Sequence, residues 1–139
     1  EFNCRLGDPE AQVLMMLVKG DLFKLFYEMS NGNLHKYCDK NDFWHQEAAV
    51  TVVAASQGYP SDPKLGSLID LSEVKEIENN IKLFHGGTCL NNGELLTSGG
   101  RVLSVTARGE NKKEARLKVY NQLNKISFPG MYFRSDICI

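Results

Sequence analysis

The chain lacks the features that mark several large classes of protein. It contains no apolar run near the roughly 20 residues that a membrane-spanning helix needs. Its formal net charge is −1, so the composition gives no sign of a nucleic acid or an anionic membrane as a partner. It has no internal repeat and no low-complexity tract. With 42% hydrophobic and 24% charged residues among 139, the composition is typical of a globular domain with a core.

Cysteine and histidine are also scarce, which argues against common metal and redox sites. No C-x-x-C pair occurs among the four cysteines, which are Cys4, Cys38, Cys89 and Cys138. This spacing disfavours a zinc ribbon or a thioredoxin-type site, and it favours reduced thiols and a cytoplasmic location. The chain also has no Walker loop, no nucleophile elbow and no H-E-x-x-H motif.

The first residues alternate in character, as a strand does. Glu1, Asn3 and Arg5 share one face of an extended segment, whose other face is apolar. A carboxylate beside a carboxamide suits a hard cation such as Mg²⁺, and an arginine binds carboxylate or phosphate. A plain edge strand with its polar face in water explains the pattern equally well. The chain starts without Met and inside this pattern, so we expect a fragment of a longer protein.

Two helices are predicted next. Asp8 is placed to cap the first, with Pro9 at its first position and Glu10 in its first turn. Asp21 caps the second, which runs to about Met29. Their methionines and phenylalanines are expected in the core. In the second helix the expected core face is formed by Leu22, Leu25, Phe26 and Met29.

The rest of the chain favours strands and one long helix. Buried strands are predicted at Ala48–Ala55 and Arg101–Arg108, and a hairpin joins Ile81–Leu90 to Glu94–Thr97 through Asn-Asn-Gly. His85 is interpreted as structural within its strand. Shorter strands are expected at 68–71 and 131–134.

The long helix is predicted at residues 111–125. Asn111 caps it and Glu114 lies three residues further on, as in a capping box. The whole pattern predicts an α+β fold with a mostly antiparallel sheet and a packed helix. A second polar cluster, Ser98-Gly99-Gly100-Arg101, enters the last long strand. Glycines allow close approach of a ligand and the arginine can bind phosphate, although such a segment is more often a simple turn.

Five segments in this order resemble the C-terminal third of the phosphoribosylamine–glycine ligase (glycinamide ribonucleotide synthetase) family, which are ATP-grasp enzymes. They lie at 1–10, 49–60, 84–88, 97–107 and 132–137. The resemblance implies that residues 1–30 end an ATP-grasp domain and that 31–139 form the β-rich C-terminal domain. It also implies the family's reaction, in which glycine and 5-phosphoribosylamine are joined in purine biosynthesis as ATP is cleaved to ADP and phosphate.

The resemblance further implies site residues. Glu1 and Asn3 match the ligands of Mg²⁺ or Mn²⁺, and Arg5 is the catalytic candidate for stabilising the transferring phosphate or the glycine carboxylate. Substrate-binding candidates are Asp8, Pro9, Glu10, Gly99, Gly100 and Arg101. Asp8 or Glu10 would meet the amine or ribose, and Arg101 the ribose 5-phosphate. Leu6 and Ala11 depart from the family's usual residues, which puts little in doubt.

The family's ATP-gripping lysines and adenine-binding strands have no counterpart in this sequence. We therefore expect the chain to be inactive without the remainder of its own polypeptide, with glycine, 5-phosphoribosylamine and ATP as the partners of the whole. Two alternatives stay open: a non-catalytic binding or scaffold module with this fold, and a related ATP-grasp carboxylase or ligase.

Overall fold

The computed structural model describes residues 3–37, 43–74 and 79–139. Its elements are α1 Glu10–Leu17, α2 Leu22–Ser30, a 3₁₀ helix Leu34–Tyr37, β1 Ala48–Ala55, β2 Ile81–His85, β3 Thr88–Asn91, β4 Glu94–Thr97, β5 Arg101–Gly109 and α3 Lys112–Leu123. The predicted strands at β1 and β5 are confirmed. None of the described helices is long and apolar enough to cross a membrane.

The centre of the fold is a three-stranded antiparallel sheet in the order β1-β5-β2. Val105 of β5 lies opposite Val52 of β1 and Leu83 of β2. Every residue of β5 from Val102 to Ala107 is buried, because α3 covers one face of the sheet and α1 packs on the same two strands, β1 and β5. This central position explains why the β5 sequence is a nearly continuous run of β-branched and small residues.

The hydrophobic core lies between α3 and the sheet. Its completely or almost completely buried members include Val50, Val52, Leu103, Val105, Ala107, Ala115, Val119 and Leu123. Burying one large aliphatic side chain of this kind stabilises a fold by about 1.5–3 kcal/mol. The core therefore holds β1 and β5 in register, and that register fixes where the residues at the ends of both strands lie.

The predicted cap of α3 is confirmed. The Asn111 side chain accepts a hydrogen bond from the backbone N–H of Glu114 at 3.0 Å. The Glu114 carboxylate in turn accepts from the backbone N–H of Glu110 at 2.8 Å. The helix ends at Leu123, two residues before the predicted end.

The predicted hairpin is confirmed, but the strand before it is split. Asn92 and Gly93 both have positive φ, 49° and 86°, as the tight turn of a two-residue hairpin requires. The run from Ile81 to Leu90 breaks at Gly86-Gly87 into β2 and β3, and β3 pairs with β4 as a separate sheet. Isolated bridges take the place of the short strands predicted at 68–71 and 131–134.

Two predictions about the N-terminal part are wrong. Residues 4 and 5 form a bend and residues 3 and 6 have no regular structure, so the described part of this segment is not a strand; Glu1 and Phe2 lie outside the described residues. Helix α1 begins at Glu10, one residue later than predicted, with Pro9 at the N-cap and no side-chain cap. The Asp8 carboxylate pairs with Arg101 instead.

Helix α2 has the predicted ends but not the predicted burial. The Asp21 side chain caps it by accepting from the Lys24 N–H at 3.0 Å. No residue of α2 is buried, and the exposed fractions of Phe26 and Met29 are 50% and 51%. The prediction of a core face here is wrong, because Leu22 and Leu25 are only partly buried and Phe26 and Met29 are half exposed.

Candidate functional site

The two polar clusters of the sequence meet in the structure. The Asp8 carboxylate lies 2.9 Å from Nη2 of Arg101, and Nη1 of Arg101 donates to the backbone carbonyl of Asp8 at 3.2 Å. Gln12, one helical turn after Asp8, donates to the other carboxylate oxygen at 3.4 Å. Asp8 therefore joins the start of α1 to the start of β5 instead of capping its own helix.

This ion pair lies at a pocket of about 490 Å³, within the usual range for sites that bind small molecules. The pocket is lined by the start of α1, the sheet, the loop after β1, and the connections that follow β2 and precede β5. The lining residues are Asp8, Gln12, Val53, Tyr59, Phe84, His85, Gly86, Gly100, Arg101, Leu103 and Ser104.

The sheet gives the pocket a mixed apolar and polar wall. Phe84 and Val53 supply apolar surface on either side of Ser104, because both pair with it across the sheet. Ser104 is 4% exposed. Nδ1 of His85 lies 3.1 Å from the Thr88 hydroxyl. His85 lies in β2, as predicted, and it also lines the pocket, which the sequence alone did not indicate.

Gly99 and Gly100 serve the packing around this wall. A Cβ on Gly100 would lie 2.4 Å from the Tyr59 ring, and one on Gly99 would lie 3.0 Å from the Cα of Gly87. The Ser56 hydroxyl donates to the Gly99 carbonyl at 2.9 Å. Close packing of backbone and ring accounts for both glycines, and it fixes the point at which the next residue enters β5.

A smaller, mainly apolar pocket of about 260 Å³ adjoins the same arginine. Pro9 lines this second pocket together with Arg101 and Tyr132. Arg134, also on its wall, binds Asp136 through two contacts of 2.8 and 2.6 Å. The hydrogen bonds from Arg134 lower the pKa of the Asp136 carboxyl.

The other predicted site residues within the described part of the chain line neither pocket. Arg5 is exposed, and its Nη1 donates to the neighbouring Leu6 carbonyl at 2.9 Å. The Glu10 side chain folds back over Gly7, where it occupies the space that a Cβ would need. Asn3 is partly exposed and offers an amide oxygen, a ligand that Mg²⁺ accepts. Glu1 lies outside the described residues, and the described ones contain no cluster of three or more His, Cys, Asp or Glu residues suited to a metal ion.

Sequence reasoning missed Gln12, Tyr59, His85 and Ser104 as pocket residues. Gln12 had a local signal, because it lies four positions after Asp8 and the two side chains share a helix face. Tyr59, His85 and Ser104 all lie in segments that carry the family resemblance. Which residues of those segments line a pocket depends on how the loop after β1 and the strands β2 and β5 pack in three dimensions.

The arrangement has the donors for an anionic ligand that also carries hydroxyl groups. An arginine binds phosphate or carboxylate with strong, directional hydrogen bonds. The contacts to Asp8 use Nη1 and Nη2, and Nε of Arg101 has no partner in the part of the chain that the structure describes. The fold and site together define an α+β domain with a pocket suited to a small phosphorylated or carboxylated molecule.

Comparison with known protein families identifies the family of this domain. The sequence model for the phosphoribosylglycinamide synthetase C domain matches residues 49–139, and the chain belongs to that family. The match begins at the second residue of β1. The resemblance predicted from the sequence is confirmed, whereas the domain boundary between residues 30 and 31 stays a prediction.

Relatives with assigned names support the same family over the whole chain. Phosphoribosylamine–glycine ligases from Arabidopsis thaliana (chloroplastic) and Brucella melitensis are 42% and 43% identical over 99% of this chain, which covers 26% and 31% of their lengths. A trifunctional purine biosynthetic protein of Gallus gallus is 42% identical, with 13% of its length covered. The chain thus spans a third or less of these relatives.

A solved structure agrees with the sequence comparisons. The phosphoribosylamine–glycine ligase of Thermotoga maritima matches with a TM-score of 0.75 and 34% identity, over 98% of this chain and 32% of that one. The predicted α+β class is confirmed by this match.

Proposed function

We propose that this chain is the C-terminal portion of a phosphoribosylamine–glycine ligase and that its pocket holds the ribose phosphate part of 5-phosphoribosylamine. The whole enzyme would join that amine to glycine, with ATP cleaved to ADP and phosphate, in the cytoplasm. The observation that carries the proposal is the guanidinium of Arg101, which lies at the pocket beside Asp8.

The lining of the pocket favours a sugar phosphate over free glycine. Glycine presents only an ammonium and a carboxylate, whereas a ribose phosphate also presents ring hydroxyls. Gln12, His85 and Ser104 offer polar groups around a space of about 490 Å³, enough for several hydrogen bonds to hydroxyls. Arg101 would bind the phosphate, and Asp8 would accept a hydrogen bond from a hydroxyl or from the amine.

The remaining roles belong to the N-terminal segment. Glu1 and Asn3 would hold Mg²⁺ or Mn²⁺, which when bound neutralises charge on the phosphates of ATP. Arg5 is exposed and, among the residues that the structure describes, its one hydrogen bond is to Leu6, so its other donors are available to the transferring phosphate or to the glycine carboxylate. Glu10 is the second candidate to meet the amine. ATP itself would be held by parts of the ligase that this chain does not match.

A non-catalytic binding module is the second candidate function. This second function is favoured by the small part of its relatives' length that the chain spans, which is 31% for the Brucella enzyme. A chimera decides between the two: the Brucella ligase with its matching segment replaced by this chain forms glycinamide ribonucleotide under the first proposal and none under the second. A related ATP-grasp carboxylase is disfavoured, since the relatives compared above carry the glycine ligase name or a purine biosynthetic one.

The pocket is tested by binding of ribose 5-phosphate to the 139-residue chain, measured by calorimetry. Arg101→Gln is expected to weaken binding by about 10- to 100-fold, because hydrogen bonds to a charged group contribute about 1.5–3 kcal/mol. Arg134→Gln is the matched control, since Arg134 is an exposed arginine outside the larger pocket. In the ligating enzyme, Arg101→Gln should raise the KM for phosphoribosylamine more than that for ATP. Equal affinities for the two variants would reject the phosphate role.

A further inference from the structure

Helix α2 has the composition of a buried helix but an exposed position. Six of its nine residues are apolar: Leu22, Phe23, Leu25, Phe26, Tyr27 and Met29. A helix that is apolar on most of its circumference is normally covered on most sides. In this structure no residue of α2 is buried.

The exposed part forms one continuous surface, which we call the α2 apolar surface and define as Phe23, Phe26, Tyr27 and Met29. The exposed fractions of Phe23 and Tyr27 are 80% and 59%, and those of the other two are near one half. Spacings of three and four residues place these side chains next to each other along one side of the helix.

One polar side chain of α2 outside this surface, that of Glu28, already has a partner. The Glu28 carboxylate pairs with Lys36 of the 3₁₀ helix at 3.0 Å. The main contacts of α2 in the described structure are with that same 3₁₀ helix. The Lys36 contact lies outside the α2 apolar surface, whose four side chains stay half or more exposed.

We propose that the α2 apolar surface docks on the part of the ligase that this chain does not match. This inference rests on the proposed function only for the identity of the partner. Two observations favour that partner. About two thirds of the Thermotoga enzyme has no counterpart here. Helix α2 also lies before residue 49, outside the range that the C-domain family matches.

The test compares hydrogen exchange of α2 in two proteins: this 139-residue chain alone, and the Brucella ligase in which it replaces the matching segment. A nine-residue helix without packing is marginal in water, so its amides should exchange rapidly in the isolated chain. In the chimera they should exchange at least tenfold more slowly. Strand β5 is the internal reference, since it is buried and should be protected in both.

Variants show whether the α2 apolar surface itself is responsible. Phe23→Asp with Phe26→Asp in the chimera should return α2 to rapid exchange. Leu90→Asp is the matched control, because Leu90 is 74% exposed but lies in the hairpin, and it should leave the protection of α2 unchanged.

Two results would overturn the proposal. One is equally rapid exchange of α2 in both proteins while β5 is protected. The other is a dimer of the isolated chain in which the amides of α2 exchange as slowly as they do in the chimera. In that case the partner of the α2 apolar surface would be a second copy of this chain. If β5 is unprotected in the chimera, this chain and the remainder of the Brucella ligase are instead mixed as separate proteins and analysed by sedimentation. A 1:1 complex that is lost in the Phe23→Asp, Phe26→Asp variant supports docking. The absence of a complex rejects it. An inactive chimera with protected α2 would reject the proposed function but retain the docking surface.

Discussion

Replacing Gly87 with alanine should destabilise the protein through contacts that cannot relax. A Cβ at this position would lie 2.5 Å from Cα and 2.7 Å from N of Gly99, and 2.9 Å from the carbonyl oxygen of Arg101. All three atoms belong to the backbone, so no side-chain rotation removes the clash. The segment between β2 and β3 must move away from the start of β5.

The expected cost follows from what that movement breaks. The Gly87 N–H donates to the Arg101 carbonyl at 2.8 Å, and the Gly87 carbonyl accepts from the Ser98 N–H at 2.8 Å. Each of these bonds contributes about 1 kcal/mol, and overpacking typically costs about 1–3 kcal/mol. We expect the free energy of unfolding to fall by about 3–5 kcal/mol, a large part of the roughly 5–15 kcal/mol that stabilises a domain.

The assay is urea unfolding of both Gly87→Ala and Gly100→Ala. The second variant is the control, because its Cβ would meet the ring of Tyr59, and that side chain is 44% exposed and can rotate. Its loss should be about 1 kcal/mol. Gly87→Ala should also weaken ribose 5-phosphate binding, since it displaces the backbone of Arg101. Losses within about 0.5 kcal/mol of each other would refute this account of the glycines.

Two further predictions concern stability. Asn111→Ala should lower the free energy of unfolding, measured in urea, by about 1 kcal/mol, because it removes the acceptor for the Glu114 N–H. Asn124→Ala, at the other end of α3, is the control. An equal loss of stability in that variant would contradict a cap effect. Arg134 lowers the pKa of Asp136 in the folded protein from its ordinary 3.8. This pair therefore stabilises the fold above pH 3.8, and its contribution disappears as the pH falls through the lowered pKa of the folded protein. Urea unfolding from pH 7 to pH 3 should therefore show stability falling at the acid end, less so in Asp136→Asn; a fall of the same size in both would exclude the pair as a cause.

The elements whose structure is decided by residues close together in the chain could be predicted from the sequence. The strands β1 and β5 were evident from runs of β-branched residues, and the hairpin from an Asn-Gly pair that both take positive φ. The cap of α3 involves Asn111 and Glu114, three residues apart. In each case the residues that decide the structure are close neighbours in the chain.

The N-terminus of α1 shows where such reasoning fails. Asp8 followed by proline is a good local signal for a capped helix. Its carboxylate instead meets Arg101, 93 residues further on, and that contact depends on the register of β5. The same contact joins the two clusters that the sequence had indicated separately. Burial of α2 was mispredicted for a related reason, since an apolar face shows that a partner is needed but not whether this chain supplies it.

The exposure of the Asp8–Arg101 pair bears directly on how the pocket can work. The two side chains are 53% and 44% exposed, and exposed ion pairs contribute only about 0–1 kcal/mol. A phosphate that offers several acceptor oxygens can therefore share or take over the guanidinium at small cost. A fully buried pair would hold Arg101 far more firmly, because separating it would leave an unpaired charge away from water. The half-exposed geometry thus keeps the arginine in position for a ligand without closing the pocket to it.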